Sequence, residues 1–152
     1  MNSRNVVLHA EYPAKVWIVI EQPRGEPMRM RYEPLTGTFR RSSDYSLLHD
    51  RGFTGAYGWI GGTGAPPHPH FDVMVLTRED LQPGDVMLGH ICGVFIRGDG
   101  DHKFVAMDEA WRVRTGCSDF DALDGATQDE LRRLYPEVGE GEGWFGAAFA
   151  HD

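Results

Sequence analysis

Short runs of β-forming residues, separated by turn residues, occupy the first two thirds of the chain and limit its fold more than any other feature. The run Met28–Glu33 alternates strictly, so its two methionines and tyrosine fall on one strand face and its charged residues on the other. The remaining runs are largely apolar and cover Val16–Gln22, Phe71–Leu76, Asp85–Arg97 and Lys103–Asp108. Turn residues at QPGD and GDGD separate them. About five strands, with helix left to the end, predict a small barrel or a curled sheet.

The clearest helical segment is TQDELRRLY, residues 127–135. Thr127 and Glu130 have the spacing of a capping box, and Pro136 would end the helix. Its predicted apolar face is formed by Leu131, Leu134 and Tyr135. The glycine-rich tail that follows contains aromatic residues that we expect to dock on the body of the protein, namely Trp144, Phe145 and Phe149.

The length of 152 residues and the hydrophobic content of 41% suit one compact domain spanning residues 1–152. No apolar run reaches the ~18 residues that a membrane span requires, and the N-terminal segment lacks the features of a signal peptide. We therefore expect a cytoplasmic protein that does not bind membranes. Cys92 and Cys117 are too isolated to indicate a disulfide framework, and we predict that both are buried free thiols.

The net charge of −8 excludes nucleic acid as the main partner, because phosphate backbones are bound by basic stripes and this chain has none. The acidity has two interpretations. It either keeps the surface soluble or is clustered to hold hard cations such as Mg²⁺. Total charge does not separate the two, whereas the placement of the carboxylates does.

Three groups of charged residues are candidates for chemistry: Glu21 with Arg31 and Glu33, Asp72 alone, and Asp99 with Asp101 and Lys103. The last group recurs at period two, so an extended backbone would place its side chains on one side. Grouped carboxylates favour divalent cations, and nearby basic side chains can hold the oxygens of a phosphate. Alternating charges are also typical of a solvated strand face. Spacing alone leaves both interpretations open.

Six fragments of the chain occur in a specific order: VIEQPRGEPMRMRYE, AYGWI, FDVMVL, LQPGDV, GVF and DHKFVA. Their order and spacing resemble the family I soluble inorganic pyrophosphatases over about residues 16–108, with a fainter similarity around Leu134 and Tyr135. The resemblance implies an α+β, mainly β fold, with a five-stranded OB-like barrel and a short C-terminal helix. It also implies a homo-oligomer that hydrolyses pyrophosphate, or a related phosphoanhydride, in a cleft that holds several Mg²⁺ ions and a small phosphorylated substrate.

The resemblance further implies roles for individual residues. Asp72 matches the last aspartate of the family's Asp-x-Asp-Pro-x-Asp signature, which ligates metal and helps to activate the attacking water. Tyr57 matches a cleft tyrosine, and with Asp72 it forms the implied catalytic pair. The other implied metal ligands are Glu21, Glu33, Asp99 and Asp101. The implied phosphate-binding residues are Arg31, Arg41, Lys103 and Tyr135.

The segment Pro67-His68-Pro69-His70-Phe71 stands where the family has the first two aspartates of its signature. His68 and His70 either replace these carboxylates as ligands or only contact solvent from a proline-stiffened loop. Imidazole suits Mn²⁺, Co²⁺ or Zn²⁺ far better than Mg²⁺, so ligation would change the preferred ion.

The missing aspartates leave two hypotheses about function. The first is a metal-dependent hydrolase, and the second is a catalytically impaired module that binds a phosphorylated ligand. The retained carboxylates favour the enzyme, because a cleft that only binds phosphate gains nothing from acidic groups that repel one another.

Overall fold

The computed structural model describes residues 6–116 and 118–150, so Cys117 lies outside the described residues. The elements in chain order are β1 (Lys15–Gln22), β2 (Met28–Glu33), β3 (Thr38–Tyr45), α1 (Leu47–Asp50), β4 (Ala56–Ile60), β5 (Asp72–Leu76), β6 (Val86–Ile96), β7 (Lys103–Met107), α2 (Glu109–Thr115), a 3₁₀ turn (Phe120–Ala122), α3 (Gly125–Arg132), β8 (Gly143–Gly146) and α4 (Ala147–Ala150). Cys92 is buried, as predicted, and its thiol donates to the carbonyl oxygen of Val105.

Five strands close into a barrel. The strand β1 pairs with β4, and β4 with β5, in antiparallel fashion. The strands β5 and β7 are parallel, and β7 then pairs with β6. The barrel closes where the first half of β6 returns to β1. This arrangement confirms the five-stranded barrel that the family resemblance implies, and it decides between the barrel and the curled sheet that the strand pattern left open.

One of the five predicted strands does not belong to the barrel. Met28–Glu33 forms a strand, but it pairs with β3 in a separate two-stranded hairpin. Its place is taken by β4, whose short sequence AYGWI is interrupted by Gly58 and is a weak strand signal on its own. A β-carbon at Gly58 would lie 2.0 Å from the carbonyl oxygen of Val19, so glycine is what lets β1 and β4 approach.

The core has two layers, one inside the barrel and one between the barrel and the C-terminal elements. Along β5, Val73 and Val75 belong to the inner layer, whereas Met74 and Leu76 belong to the outer one. Both faces of this strand are therefore buried, which explains why its sequence is continuously apolar rather than alternating. The outer layer is completed by side chains that include Phe120, Leu123, Leu131 and Leu134.

The predicted C-terminal helix is present as α3, but its start is different. The N-cap is Asp124, whose side chain accepts a hydrogen bond from the backbone N–H of Thr127 at 2.7 Å. The predicted capping box of Thr127 and Glu130 is therefore wrong. Glu130 instead accepts hydrogen bonds from the backbone and hydroxyl of Thr54, which ties α3 to the segment before β4.

Three further helices, α1, α2 and α4, are not predicted by the sequence pattern. The helix α2 is capped by Asp108, which accepts from the backbone N–H of Trp111 at 2.7 Å, and it ends at Gly116 in the left-handed region. None of the helices within the described ranges is long and apolar enough to cross a membrane.

The C-terminal tail docks on the barrel, as predicted, but it does so as an added strand. The strand β8 pairs with the second half of β6. Trp144 packs against Phe95 at 4.7 Å and stacks on Phe120 at 5.3 Å between ring centroids. Phe149 stacks on Phe145 at 4.4 Å and is half exposed. The tail thus covers the outer core layer.

Candidate active site

Lys103, the first residue of β7, lies at the centre of a buried polar cluster. Its ammonium donates hydrogen bonds to Asp72 Oδ2 at 2.7 Å, Tyr57 Oη at 2.9 Å and Asp101 Oδ2 at 3.0 Å. Lys103 and Asp72 are register partners in the parallel pair of β5 and β7, and Tyr57 lies on the adjacent β4. Three neighbouring strands thus bring together residues to which the family resemblance gives catalytic, metal-binding and phosphate-binding roles.

His70 is bound to the second carboxylate oxygen of Asp72. Its Nε2 lies 2.8 Å from Asp72 Oδ1, and its Nδ1 lies 2.7 Å from the carbonyl oxygen of His68. A carbonyl oxygen and an ionised carboxylate both only accept hydrogen bonds, so this arrangement favours a proton on each ring nitrogen. The hydrogen bond from His70 to Asp72 outweighs burial and raises the pKa of His70.

The charges of the cluster support one another. Burial on its own would raise the pKa of Asp72, but hydrogen bonds from His70 and Lys103 outweigh it and lower that pKa to about 2. Burial would likewise lower the pKa of Lys103, but its bonds to Asp72 raise it. Burial and the charge of Asp72 raise the pKa of Tyr57 well above its usual range. At neutral pH the carboxylate of Asp72 is therefore ionised, the ammonium of Lys103 is charged and the phenol of Tyr57 is neutral.

A cavity of about 470 Å³ opens beside this cluster. Its charged lining consists of four basic side chains and one acidic one, namely Arg29, Arg51, Arg97, Lys103 and Glu21. Tyr57 and Tyr135 also line it. Burial and the nearby charge of Asp72 raise the pKa of Glu21, the one acidic side chain in the lining. The cavity is therefore predominantly basic, although the chain as a whole carries a net charge of −8.

Arg97 connects the cavity to two of the predicted metal ligands. Its guanidinium lies 3.4 Å from Asp99 Oδ2 and 3.5 Å from Asp101 Oδ2, and 5.3 Å from the ring centroid of Tyr135. Asp99 itself lies in a turn, where its Oδ1 accepts from the backbone N–H of Asp101 at 2.9 Å. The extended backbone that the period-two spacing assumes therefore does not hold at Asp99.

The structure places the other predicted site residues away from Lys103. Arg31 forms an ion pair with Asp44 at 3.0 Å, and Glu33 forms one with Arg40. Arg41 forms an ion pair with Glu26 on the far side of the same hairpin from the cavity lining. His68 is exposed, and its contact with His70 is made by its backbone carbonyl. The roles that the resemblance gives these four side chains remain predictions.

Three basic residues of the cavity were missed by the sequence analysis. Arg29 lies on the charged face that alternation identifies in β2, but alternation does not tell which arginine of that face reaches the cavity. Arg97 follows β6 at the edge of a turn, a position without a recognisable motif. Arg51 follows α1 and donates to the backbone carbonyl of Leu134, a contact between distant segments that carries no local signal.

The sequence of the chain also matches the model of a known protein family. The model of the inorganic pyrophosphatase family matches residues 18–144. The chain belongs to this family. The inorganic pyrophosphatase of Thermus thermophilus is 29% identical over 109 residues, which cover 70% of this chain and 61% of the relative. The chain thus spans about three fifths of the length of the curated relative that it matches.

Solved structures show that this pyrophosphatase-family chain also shares a known fold. The inorganic pyrophosphatase of Ehrlichia chaffeensis superposes with a TM-score of 0.75 at 20% identity, covering 97% of this chain and 95% of that one. The inorganic phosphatase of Anaplasma phagocytophilum gives a TM-score of 0.72 at 21% identity, covering 97% and 93%. These similarities establish the same barrel fold.

Pyrophosphatases of this family generally use divalent metal ions, but the side chains of this member do not fit a resident metal centre. Within residues 6–116 and 118–150, no group of three or more His, Cys, Asp or Glu side chains is arranged to hold a metal ion. Both oxygens of Asp72 contact protein cations, and Oδ2 of Asp101 is shared by Lys103 and Arg97. Both ring nitrogens of His70 already lie within hydrogen-bond distance of protein oxygens, at Asp72 and at the carbonyl of His68.

Proposed function

We propose that the chain hydrolyses inorganic pyrophosphate, or a related phosphoanhydride, in the cavity beside Lys103. The observation that carries this proposal is the combination of a basic cavity with an ionised Asp72 and a neutral Tyr57 at its edge, in a chain of the inorganic pyrophosphatase family. A cavity of about 470 Å³ lies in the range of small-molecule sites.

The basic side chains would hold the phosphoryl oxygens. Lys103 and Arg97 lie at one side of the cavity lining, together with the phenol of Tyr135, and Arg29 extends from the hairpin. Cations placed in this way stabilise the negative charge that moves to the leaving phosphate during phosphoryl transfer. Arginine adds a planar fork that can bind two phosphate oxygens at once.

Asp72 is the side chain that we propose to orient the attacking water. An ionised carboxylate accepts about four hydrogen bonds. Asp72 accepts from His70 and Lys103, so about two acceptor positions are left for water molecules. A pKa of about 2 keeps this carboxylate ionised at neutral pH, so it can orient water by accepting a hydrogen bond, although it is a weak base.

We propose Mg²⁺ as the ion that supports turnover, because the phosphoryl oxygens of pyrophosphate are hard ligands of the kind that Mg²⁺ prefers. The test is phosphate release from pyrophosphate by the metal-stripped protein, with Mg²⁺, Mn²⁺, Co²⁺ and Zn²⁺ added back separately. Turnover with Mg²⁺ supports the proposal. Turnover with only the softer ions would instead favour ligation by His68 or His70, and no release with any ion would overturn the hydrolase.

Asp72→Asn should reduce turnover by about 100-fold or more, because the amide presents one acceptor oxygen instead of two and carries no charge. The measurement is the rate of phosphate release at saturating pyrophosphate, with circular dichroism to confirm that the variant is folded. Asp80→Asn is the matched control, since its side chain is 95% exposed on a loop outside the cavity. Equal rates for Asp72→Asn and the native chain would remove Asp72 from the proposed chemistry.

A specific observation also supports the alternative, a module that binds a phosphorylated ligand without hydrolysing it. The oxygens of Asp72 are occupied by His70 and Lys103, and prolines stand where the family has two further aspartates. For such a module, pyrophosphate should bind without phosphate release. Asp72→Asn would then leave binding unchanged or strengthen it, since it removes a negative charge beside the ligand.

A further inference from the structure

We propose that this cleft binds pyrophosphate through its own cations, Arg97 and Lys103 foremost, without a resident metal ion, and that Asp72, Asp99 and Asp101 serve to hold those cations in place. This inference rests on the proposed function, since it concerns the same cavity. It assigns the acidic residues a role opposite to the one that the family resemblance implies for them.

The first support is the pairing of charges. Three carboxylates contact two protein cations: Asp72 contacts Lys103, Asp101 contacts Lys103 and Arg97, and Asp99 contacts Arg97. A metal ion that entered this cluster would have to displace a protein cation that already contacts the carboxylate. Lys103 is only 7% exposed, so its removal from Asp72 and Asp101 would leave a buried charge unpaired, which is strongly unfavourable.

The second support is the set of charged side chains that line the cavity. The cavity lining contains Arg97 and Lys103, whereas Asp72, Asp99 and Asp101 are not part of it. The lining thus presents Arg97 and Lys103 to a ligand, and these two cations are paired with the three carboxylates. Arg29 and Arg51 extend the basic surface. A polyanion in the cavity would meet positively charged groups without the help of an added ion.

The third support is the loop that replaces the missing aspartates. Pro67 and Pro69 offer no side-chain oxygen or nitrogen, and both ring nitrogens of His70 lie within hydrogen-bond distance of protein oxygens. The segment thus offers no carboxylate to a metal ion beside Asp72.

The test is isothermal titration calorimetry on the full chain, with inorganic pyrophosphate as the probe in the presence of EDTA, and with Mg²⁺ alone in a separate titration. We expect saturable binding of pyrophosphate in EDTA and no saturable binding of Mg²⁺ in the millimolar range. Binding of Mg²⁺ alone, or binding of pyrophosphate only when Mg²⁺ is present, would overturn the inference. The same holds if pyrophosphate binds under neither condition.

Arg97→Met makes the test sharper, because it predicts two changes of opposite sign. Pyrophosphate binding in EDTA should weaken by about tenfold or more, the range expected for the loss of a charge-assisted contact. Mg²⁺ binding should strengthen, because Asp99 and Asp101 lose their shared cation. Arg97 is 31% exposed, so the variant should fold, and Arg97→Lys should recover part of the pyrophosphate affinity. Unchanged binding of both ligands in Arg97→Met would contradict the proposed role of Arg97.

Arg112→Met is the matched control, since Arg112 lies on α2, pairs with Glu109 and is outside the cavity.

Measuring pyrophosphate binding in EDTA and pyrophosphate hydrolysis together distinguishes the inference of metal-free binding from the proposed hydrolase. Pyrophosphate that binds in EDTA but is not hydrolysed with any ion supports the inference and overturns the hydrolase. Hydrolysis with Mg²⁺, combined with no binding in EDTA, supports the hydrolase and overturns the inference.

Discussion

At the scale of single residues, the chemistry of the cleft depends on which atoms of His70 and Asp72 face each other. The composition of the His-Pro-His segment is compatible with metal ligation. In the folded protein both ring nitrogens of His70 instead face acceptor oxygens, one of the His68 carbonyl and one of Asp72. Two contacts within the protein thus occupy the atoms that a metal ion would use.

The first prediction concerns the pH dependence of stability. The pKa of His70 is raised in the folded protein above its ordinary value of 6.5, so folding binds a proton. The stabilisation from this residue is full below pH 6.5 and is lost as the pH rises through the higher folded pKa. The free energy of unfolding of the native chain should therefore exceed that of His70→Gln by more at roughly pH 5.5 than at roughly pH 8.5.

Urea unfolding at the two pH values measures this difference. His49→Gln is a suitable control, because its side chain is exposed on α1 and its removal should have the same effect at both. The native chain and His70→Gln could instead differ in free energy of unfolding by the same amount at both pH values. That result would contradict the charged pairing of His70 with Asp72.

At the scale of secondary-structure elements, the start of α3 shows that a short sequence can offer more than one helix cap. Thr127 and Glu130 have the spacing of a capping box, but Asp124 lies three residues upstream and its carboxylate caps the helix. Thr127 is buried in α3, and Glu130 binds Thr54. Asp124 and Thr127 are both residues that commonly cap helices. The helix α3 begins after Asp124, and with this start Leu131 and Leu134 lie in the outer core layer.

The second prediction follows from this cap. Asp124→Ala should lower the free energy of unfolding by about 1 kcal/mol, the usual cost of losing an N-cap side chain. Asp129→Ala, an exposed position inside the same helix, should have a much smaller effect. Denaturant unfolding of both variants provides the measurement. A larger loss for Asp129→Ala would show that Asp124 is not the effective cap.

At the scale of the whole molecule, barrel closure depends on the close contact of β1 with β4. Gly58 pairs with Ile20, and the space that a side chain would need is filled by the backbone of Val19. The strand β4 also supplies Tyr57 to the cavity, so barrel closure and the position of the candidate active site depend on the same contact.

The third prediction tests that contact. Gly58→Ala should cost about 3 kcal/mol or more, because its β-carbon would overlap the carbonyl group of Val19 and force the two strands apart. Gly125→Ala is the matched control, since nothing lies within 4 Å of its β-carbon and the helix α3 should tolerate or favour alanine. Thermal unfolding compares the two. Similar melting temperatures would show that the strands can separate without cost.

The sequence by itself determined the strands at Val16–Gln22, Phe71–Leu76 and Lys103–Asp108, together with the barrel and the family. These features follow from apolar runs and from motifs that are short and local, so they can be identified without knowing which segments meet. The sequence also drew attention to Asp72 and Lys103, since the resemblance places both in the cleft.

Only the tertiary structure decided how the charged residues are paired. Asp72 and Lys103 are 31 positions apart and meet because β5 and β7 are parallel neighbours in a given register. The choice of Arg29 rather than Arg31 at the cavity, and the raised pKa of His70 beside Asp72, likewise depend on tertiary contacts. The physical reason is that the energy of a charge depends on its distance from other charges and on its exposure to water, which the order of residues does not fix.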